Sequence, residues 1–238
     1  MSKAARGASP RWWRWVLILI LILAVIPVIE VAAVRFVDPP ITPLMLLRPV
    51  EARFAGHPSP PRQYTWLPMA RVPHDFLKFA LIAEDQRFFR HHGFDWREIH
   101  AAEKHAERTG QEVRGASTIT MQCARSLFLW QERSWIRKGL EAYYTFWMEV
   151  LLSKRRILEL YANVIEMGDG VYGIEAAAHA HYGVNAHDLN RDQCLALAAI
   201  LPNPRGWDPR SPTPRLAARI SHIQQQEKQV NFPQLSAR

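Results

Sequence analysis

Residues 73–93 read PHDFLKFALIAEDQRFFRHHG, and this stretch indicates the fold class of the chain. Pro73 suits the first turn of a helix and Gly93 commonly ends one, so we predict a helix between them. Apolar patterns with helical spacing recur along the chain, whereas runs that alternate with period two are nearly absent. The sequence therefore predicts a mostly α domain, with further helices near residues 94–107, 117–129, 135–152, 153–166, 173–183, 190–201 and 214–227.

Glu84 lies on the apolar face of this predicted helix. Leu77, Leu81 and Phe88 follow the i, i+4, i+11 spacing of a stripe that faces a core, and Glu84 falls on it at i+7. Burial would raise the pKa of this carboxyl group and make it a better proton acceptor near neutral pH, as a general base requires. The alternative is a structural glutamate that pairs with an arginine or caps a buried amide.

The composition of the 238-residue chain excludes several classes of protein. Nine Trp, ten Phe and six Tyr exclude a disordered chain. Cys123 and Cys194 provide neither a disulfide framework nor zinc-ligand spacing, and whether they pair stays open. The net charge of +8 and the pI near 9.9 indicate an anionic partner, either nucleic acid, a phospholipid surface or a phosphorylated substrate.

The N-terminal segment predicts a membrane anchor. Residues 12–34 are apolar apart from Arg14 and Glu30 near the ends, and a spanning helix needs about 20 such residues. Basic residues precede the run without an acidic one, which places residues 1–15 in the cytoplasm and the remaining chain outside. The alternative is a signal peptide cleaved near residues 31–33. Either reading argues against nucleic acid as the partner.

A proline-rich stretch separates the anchor from the helical domain. Eight prolines lie between Asp38 and Pro73 without helical periodicity, so we predict an extended tether there. We expect the tail beyond Lys228 to be frayed. The predicted organisation is a cytoplasmic tail at 1–15, a transmembrane anchor at 16–34, a linker and membrane-proximal entrance at 35–67, the globular domain at 68–228 and a tail at 229–238.

Residues 114–122, RGASTITMQ, open a predicted helix with small and hydroxylated side chains. The free amides and hydroxyl groups of such a helix start can bind an anion or a sugar. The alternative is a plain Ser or Thr cap. Cys123 continues this helix, and we expect a small buried apolar residue because no partner base is apparent.

Basic residues cluster around an acidic residue downstream. Arg137 and Glu141 are four residues apart and share a helix face, which in most helices is a surface salt bridge. Tyr161 and Asn163 follow on a later helix, where core packing with a satisfied polar tip is the alternative to substrate binding. Further cations could join Arg137 in a clamp for pyrophosphate: Arg125, Arg133, Lys138 and Lys154.

Four ordered motifs resemble those of the peptidoglycan glycosyltransferases of family 51. Residues 84–91, EDQRFFRH, match EDxxFxxH, and residues 115–122, GASTITMQ, resemble GxSTITQQ. Residues 137–141, RKGLE, match RKxxE, and residues 154–163, KRRILELYAN, match KxxILExYxN. The resemblance extends from about Pro68 to the region of Pro212 and leaves no room for a transpeptidase domain.

Two segments depart from the family pattern. Met121 replaces the usual first Gln of the pair, and residues 181–184, HYGV, replace the usual YFGK. Neither change removes a carboxylate that the resemblance predicts to be catalytic. We therefore expect the changes to affect contacts with the substrate more than the chemical step.

The resemblance implies a lysozyme-like α domain with a membrane-proximal lobe that polymerises lipid II into glycan strands. Glu84 would be the base that takes the proton from the 4-hydroxyl of the acceptor GlcNAc, which attacks C1 of the donor MurNAc with inversion. Glu141 would assist as undecaprenyl pyrophosphate leaves. Substrate contacts are then expected at Asp85, Phe88, His91, Ser117, Thr118, Thr120, Gln122, Arg125, Arg133, Arg137, Lys138, Lys154, Tyr161 and Asn163.

The resemblance also implies the surroundings in which the enzyme works. It implies no required cofactor and no metal site of the protein itself, although Mg or Mn could bridge the pyrophosphate. Lipid II, the growing glycan strand and membrane lipid are the expected partners, with cell-division or wall-synthesis proteins as candidates. The location is the inner membrane, with the catalytic domain in the periplasm.

Two other functions stay open at this point. A lytic muramidase or transglycosylase of similar fold also uses a glutamate on a helix but cleaves the polymer, and it does not need a cationic clamp. A membrane-anchored scaffold without catalytic activity could keep the same fold while binding the wall.

Overall fold

The computed structural model describes residues 12–56, 60–110, 117–132 and 134–236. Short strands β1 (Gln63–Tyr64), β2 (Glu166–Gly168) and β3 (Val171–Tyr172) accompany many helices, which confirms the predicted mostly α class. The helices are α1 (Trp12–Val34), α2 (Pro43–Phe54), α3 (His74–Glu84), α4 (Trp96–Thr109), α5 (Ile119–Phe128), α6 (Trp135–Leu151), α7 (Lys154–Val164), α8 (Gly173–Tyr182), α9 (Arg191–Ala199), α10 (Pro214–Glu227) and α11 (Pro233–Ser236).

The core forms where α3 packs on α9 and where α5 packs on α6 and α7. Helix α7 lies at the centre of this core, because most of its residues after the first turn are fully buried. Phe76 and Phe79 of α3 and Tyr161 of α7 are among the large aromatic residues that are fully buried in this core. Burial of each large apolar side chain stabilises the fold by roughly 1.5–3 kcal/mol. This packing brings the end of α3 next to the start of α5.

The helix predicted over residues 73–92 is shorter in the structure, because α3 ends at Glu84. Asp85 leaves the helical conformation, and its carboxylate accepts hydrogen bonds from the Ile119 amide (2.9 Å) and from the His91 ring (2.9 Å). These contacts with a distant segment outweigh the local helical pattern. Phe88 is still fully buried, but it reaches the core from the turn after the helix.

The predicted extended tether also contains a helix, so that part of the prediction is wrong. α2 begins at Pro43, where the missing N–H costs nothing, and Thr42 caps it through a hydrogen bond from the Met45 amide (3.4 Å). Leu44 and Met45 are buried against Tyr172 of the small sheet. The proline-rich segment therefore contains a proline that begins a helix, in addition to the prolines of the linker.

The sheet has the order β1-β3-β2, with β1 parallel and β2 antiparallel to β3. Gly173 follows β3 with a φ of +78°, and a Cβ there would lie 2.3 Å from the Asn163 carbonyl oxygen. Glycine is therefore required for α8 to start this close to the end of α7.

The N-terminal helix α1 is long and apolar enough to cross a membrane, as predicted. Its last turns rest on α6, where the Tyr143 hydroxyl donates to the Ala24 carbonyl (2.8 Å) and the Tyr144 hydroxyl bonds Glu30. Val31 and Val34 at the end of α1 are buried in the main hydrophobic core. The apolar helix therefore continues into the core of the domain.

The C-terminal end is more ordered than predicted. Beyond Lys228 the chain forms α11, and Phe232 is buried with its ring 6.3 Å from that of Phe89. The frayed tail was therefore a wrong prediction for residues 229–235. The cap at Asn190 is confirmed, because its side chain and that of Gln193 bond each other's backbone amides.

Candidate active site

Glu84 lies at the last position of α3 and lines a cavity of about 380 Å³. Its side chain is 13% exposed, so the carboxylate is mostly buried but can reach the cavity. Oε1 accepts a hydrogen bond from Arg219 (2.6 Å), and Oε2 accepts one from Gln122 (2.8 Å). The cavity is lined by Ile82, Ala83, Glu84, Asp85, Gln86, Arg87, Asp95, Glu98, Ser117, Thr118 and Gln226.

The pKa of Glu84 lies above its ordinary value. Burial is the main cause, because it disfavours the charged carboxylate. Arg219, Gln122 and Arg125 act in the opposite direction and limit the rise. A carboxylate with this balance holds a proton more readily than a free glutamate does, and it can act as a base near neutral pH.

Gln122 orients Glu84 through a short relay. The Tyr161 hydroxyl donates to Oε1 of Gln122 (3.2 Å), which turns the amide nitrogen toward Glu84 and toward the Ser117 carbonyl (3.4 Å). Tyr161 is fully buried, and burial raises its pKa well above the ordinary value, so it stays a donor. Tyr161 therefore acts on the site through Gln122. It does not line the cavity, so it is not placed to contact a substrate directly.

Asp85 and His91 hold the turn after α3. The Asp85 carboxylate accepts from His91 Nε2 and from the Ile119 amide, while His91 Nδ1 accepts from the Gly93 amide (3.1 Å). This pattern places the single proton of a neutral His91 on Nε2. Both side chains are buried and occupied by these bonds. Asp85 borders the cavity, whereas His91 supports the turn from outside the lining.

The hydroxyl groups of the predicted anion site have different roles. Thr118 caps α5 and donates to the Gly93 carbonyl (2.6 Å), and Thr120 donates to Glu149 (2.6 Å). Ser117 is half-buried and lines the cavity, with its Oγ 3.5 Å from Lys138 Nζ. Among the three, Ser117 has the hydroxyl best placed for a ligand.

The cationic cluster surrounds Glu141, whose side chain is completely buried. Lys138 binds its Oε1 (2.6 Å) and Arg137 its Oε2 (2.8 Å), while Arg125 lies 3.9 Å away. Arg137 is itself buried and also donates from Nε to the Glu132 carbonyl (2.8 Å). Lys138 and Arg125, at 43% and 26% exposure, are the more accessible cations. Arg133 lies outside the described residues.

Lys154 and Asn163 are not brought to the cavity. Lys154 binds Glu149 (2.8 Å), and its ammonium group lies 4.3 Å from the centre of the Phe88 ring. Asn163 is fully buried and bonds both the amide (2.7 Å) and the carbonyl (2.9 Å) of Leu67. Asn163 therefore matches the alternative of core packing with a satisfied polar tip, and Lys154 and Phe88 contact each other instead of lining the cavity.

Several residues of the site were not predicted from the sequence, and the main one is Arg219 of α10, which binds Glu84 but does not itself line the cavity. It lies next to the apolar stripe of that helix, but a charged residue at the border of a stripe gives no information about its partner. Gln226 reaches the cavity from the same helix and bonds Gln86. Neither residue belongs to the four recognised motifs.

Cys123 is fully buried, and burial raises the pKa of its thiol, which agrees with the predicted apolar role. Cys194 is also buried, and both cysteines are free thiols. Within the described ranges, no group of three or more His, Cys, Asp or Glu side chains is arranged to hold a metal ion.

Comparison with known proteins gives consistent results. The sequence profile of the transglycosylase family matches residues 52–228. The chain is 45% identical over 219 residues to a biosynthetic peptidoglycan transglycosylase of Xylella fastidiosa (strain 9a5c), covering 92% of this chain and 90% of that protein. Proteins of the same name from Xanthomonas oryzae pv. oryzae (44% over 232 residues, 98% and 94% covered) and Pseudomonas fluorescens (47% over 207 residues, 87% and 85% covered) are similar. These matches confirm the resemblance and the lysozyme-like fold class.

Proposed function

Because this chain belongs to the transglycosylase family, we propose that it is a peptidoglycan glycosyltransferase that polymerises lipid II into glycan strands for the bacterial cell wall. The main support for the proposal is that Ser117 lies between two regions of the site with different chemical character. On one side lies the desolvated carboxylate of Glu84, and on the other lies the cationic cluster around Glu141. A base and an anion-binding region are what transfer from a pyrophosphate-linked sugar requires.

Glu84 takes the proton from the 4-hydroxyl of the acceptor GlcNAc in this mechanism. The hydroxyl oxygen then forms a bond to C1 of the donor MurNAc, while the bond from C1 to the pyrophosphate oxygen breaks. The pyrophosphate keeps that electron pair and leaves with its undecaprenyl chain. Attack opposite the leaving group inverts the configuration at C1, and the energy of the activated donor drives the reaction.

The cations stabilise the charge that grows on the leaving pyrophosphate. Lys138 and Arg125 fit this role better than Arg137, because their side chains are more exposed. Glu141 has both oxygens occupied and is fully buried, so its proposed role changes from assisting at the leaving group to holding these cations in place. Preorganised charges of this kind favour the transition state over the ground state.

The membrane supplies the setting for this reaction. The apolar helix α1 would anchor the protein in the inner membrane next to its lipid-linked substrate, and the basic residues before it favour a cytoplasmic N-terminus and a periplasmic domain. Lipid II, the growing strand and membrane lipid are the proposed partners, and cell-division or wall-synthesis proteins are further candidates. No cofactor is required in this scheme, and Mg or Mn would act only on the pyrophosphate.

The test is direct incubation of the full-length, detergent-solubilised protein with labelled lipid II. We expect glycan polymer from the unmodified protein and little or none from the Glu84→Gln variant. The same preparations are incubated with purified cell wall to test for cleavage. Soluble fragments from the wall without polymer from lipid II would establish a lytic enzyme, and no product from either substrate would establish a scaffold.

A further inference from the structure

Arg219 of α10 approaches Glu84 from outside the four motifs. Its Nη2 lies 2.6 Å from Oε1 of Glu84 and 3.4 Å from the Ala83 carbonyl oxygen. Its Nε donates to the carbonyl of Ala199, the last residue of α9 (3.0 Å). The guanidinium group is therefore fixed by two backbone carbonyls in addition to the carboxylate.

The two oxygens of Glu84 have different partners, and this difference defines what Arg219 contributes. Oε2 accepts from the neutral amide of Gln122, whereas Oε1 is bound by the positive charge of Arg219. An amide stabilises a carboxylate through one hydrogen bond, but a guanidinium group adds charge attraction in a mostly buried environment. Without Arg219, the charged form of Glu84 would lose its strongest neighbouring support.

We propose that Arg219 is a positioning residue for glycosyl transfer, which holds the Glu84 carboxylate ionised and aligned toward the cavity. The inference rests on the proposed function, because it assigns Arg219 to the base of that reaction. Arg219 does not line the cavity, so it acts on substrate only through Glu84.

The other charges near Glu84 do not replace this contact. Arg125 also lowers the pKa of Glu84, but less than Arg219 does, and its Nη1 lies 3.9 Å from Oε2 of Glu141. Tyr161 stays neutral, because burial raises its pKa. The titratable and charged groups that line the cavity beside Glu84 or interact with its charge are Asp85 and Arg87 of the turn after α3, Asp95 and Glu98 at the start of α4, Arg125 of α5, Tyr161 of α7 and Arg219 of α10.

Loss of Arg219 has a consequence that a structural role would not have. Removing an opposite charge at this distance raises the pKa of the Glu84 carboxyl group, because the charged form loses a stabilising neighbour. The acidic limb of the rate against pH would then move to higher pH, because a larger share of Glu84 is protonated at neutral pH. The activity would recover partly as the pH is raised further.

The experiment compares the variants Arg219→Ala, Arg219→Gln and Arg219→Lys with the unmodified protein. Arg215→Ala is the matched control, because Arg215 lies one turn earlier on α10, is exposed and contacts Trp207. We measure kcat and KM for polymerisation of lipid II across pH, together with the melting temperature. The Gln variant can keep a hydrogen bond to Ala199, so it separates loss of charge from loss of packing.

We expect kcat of Arg219→Gln at neutral pH to fall about ten-fold or more, with KM nearly unchanged and with partial recovery at alkaline pH. Arg219→Lys should retain most of the pH profile, and Arg215→Ala should match the unmodified protein. An equal loss at every pH, or a loss that follows the melting temperature alone, would overturn the inference.

A second measurement keeps the inference separate from the proposed function. The carbon NMR signal of the Glu84 carboxyl group, assigned with Glu84→Gln, reports its pKa without any substrate. A higher pKa in Arg219→Gln supports the inference even if the unmodified protein makes no polymer, a result that would contradict only the proposed function. An unchanged pKa would refute the role of Arg219 even in an active enzyme.

Discussion

Glu84 and Glu141 are two buried carboxylates on helices, and they differ in what surrounds them. Glu84 has one cation and one amide as partners, borders a cavity and has a raised pKa. Glu141 is completely buried and has Arg137, Lys138 and Arg125 within 4 Å. Glu84 therefore borders the cavity with a single cationic partner, as a base requires, whereas Glu141 is enclosed by cations whose side chains it holds together.

We expect the largest effect on turnover from a change at Glu84. Glu84→Gln removes the base and keeps the size of the side chain, so turnover of lipid II should fall about 10²-fold to 10⁴-fold. The melting temperature should change little, since the amide oxygen can still accept a hydrogen bond from one of the two donors, Arg219 or Gln122. Glu103→Gln, the same change on the exposed face of α4, is the control. Turnover within a few-fold of the unmodified protein would show that Glu84 is not the base.

The second prediction concerns stability at Glu141. Glu141→Ala leaves buried Arg137 without its carboxylate, and breaking a buried ion pair in this way costs about 3–5 kcal/mol. The midpoint of denaturant unfolding should therefore drop markedly, and activity should drop with it. Lost activity with an unchanged unfolding midpoint would mean that Glu141 acts in the chemistry, as the sequence resemblance implied.

A third prediction separates the cations that Glu141 holds. Lys138→Ala should lower turnover by about 10-fold to 100-fold with little change in stability, because this ammonium group is partly exposed and faces Ser117. Arg137→Ala should mainly destabilise the fold, since that guanidinium group is buried and also bonds the Glu132 carbonyl. If Arg137→Ala instead lowers turnover without destabilising the fold, and Lys138→Ala leaves turnover unchanged, then Arg137 is the residue that contacts the pyrophosphate.

The smallest effect is expected in the relay behind Glu84. Tyr161→Phe removes the hydroxyl group that orients Gln122, a loss of about 1 kcal/mol that corresponds to a roughly five-fold lower rate. Tyr143→Phe, which removes a hydroxyl that bonds α1 instead, is the control. Equal rates for the two variants would show that the relay does not support Glu84.

Part of the site was predictable, because motifs record which residue types occur together. Glu84, Ser117 and Gln122 were among the expected residues; Glu84 and Ser117 line the cavity, and Gln122 binds Glu84 from behind it. Lys154 and Asn163 belong to the same motifs, yet their partners are Glu149 and the backbone of Leu67. A motif alone does not distinguish a side chain that faces the cavity from one that holds the chain together.

The sequence by itself determined the elements whose signals are local. Helical spacing and caps, such as Asn190 with Gln193, set most helices, and the length of the apolar run in residues 12–34 set the candidate membrane span. These features depend on neighbours within a few residues, so no knowledge of the fold is needed to read them.

Only the tertiary structure decided where α3 ends and which charge faces its last residue. Asp85 leaves the helix because its carboxylate binds the Ile119 amide, 34 positions along the chain, and Arg219 reaches Glu84 from 135 positions away. Contacts at such separations form only after the helices have packed, and the free energy of a buried, charged hydrogen bond then exceeds the local preference for helix. The chemical character of Glu84 therefore comes from neighbours that lie far from it in the sequence.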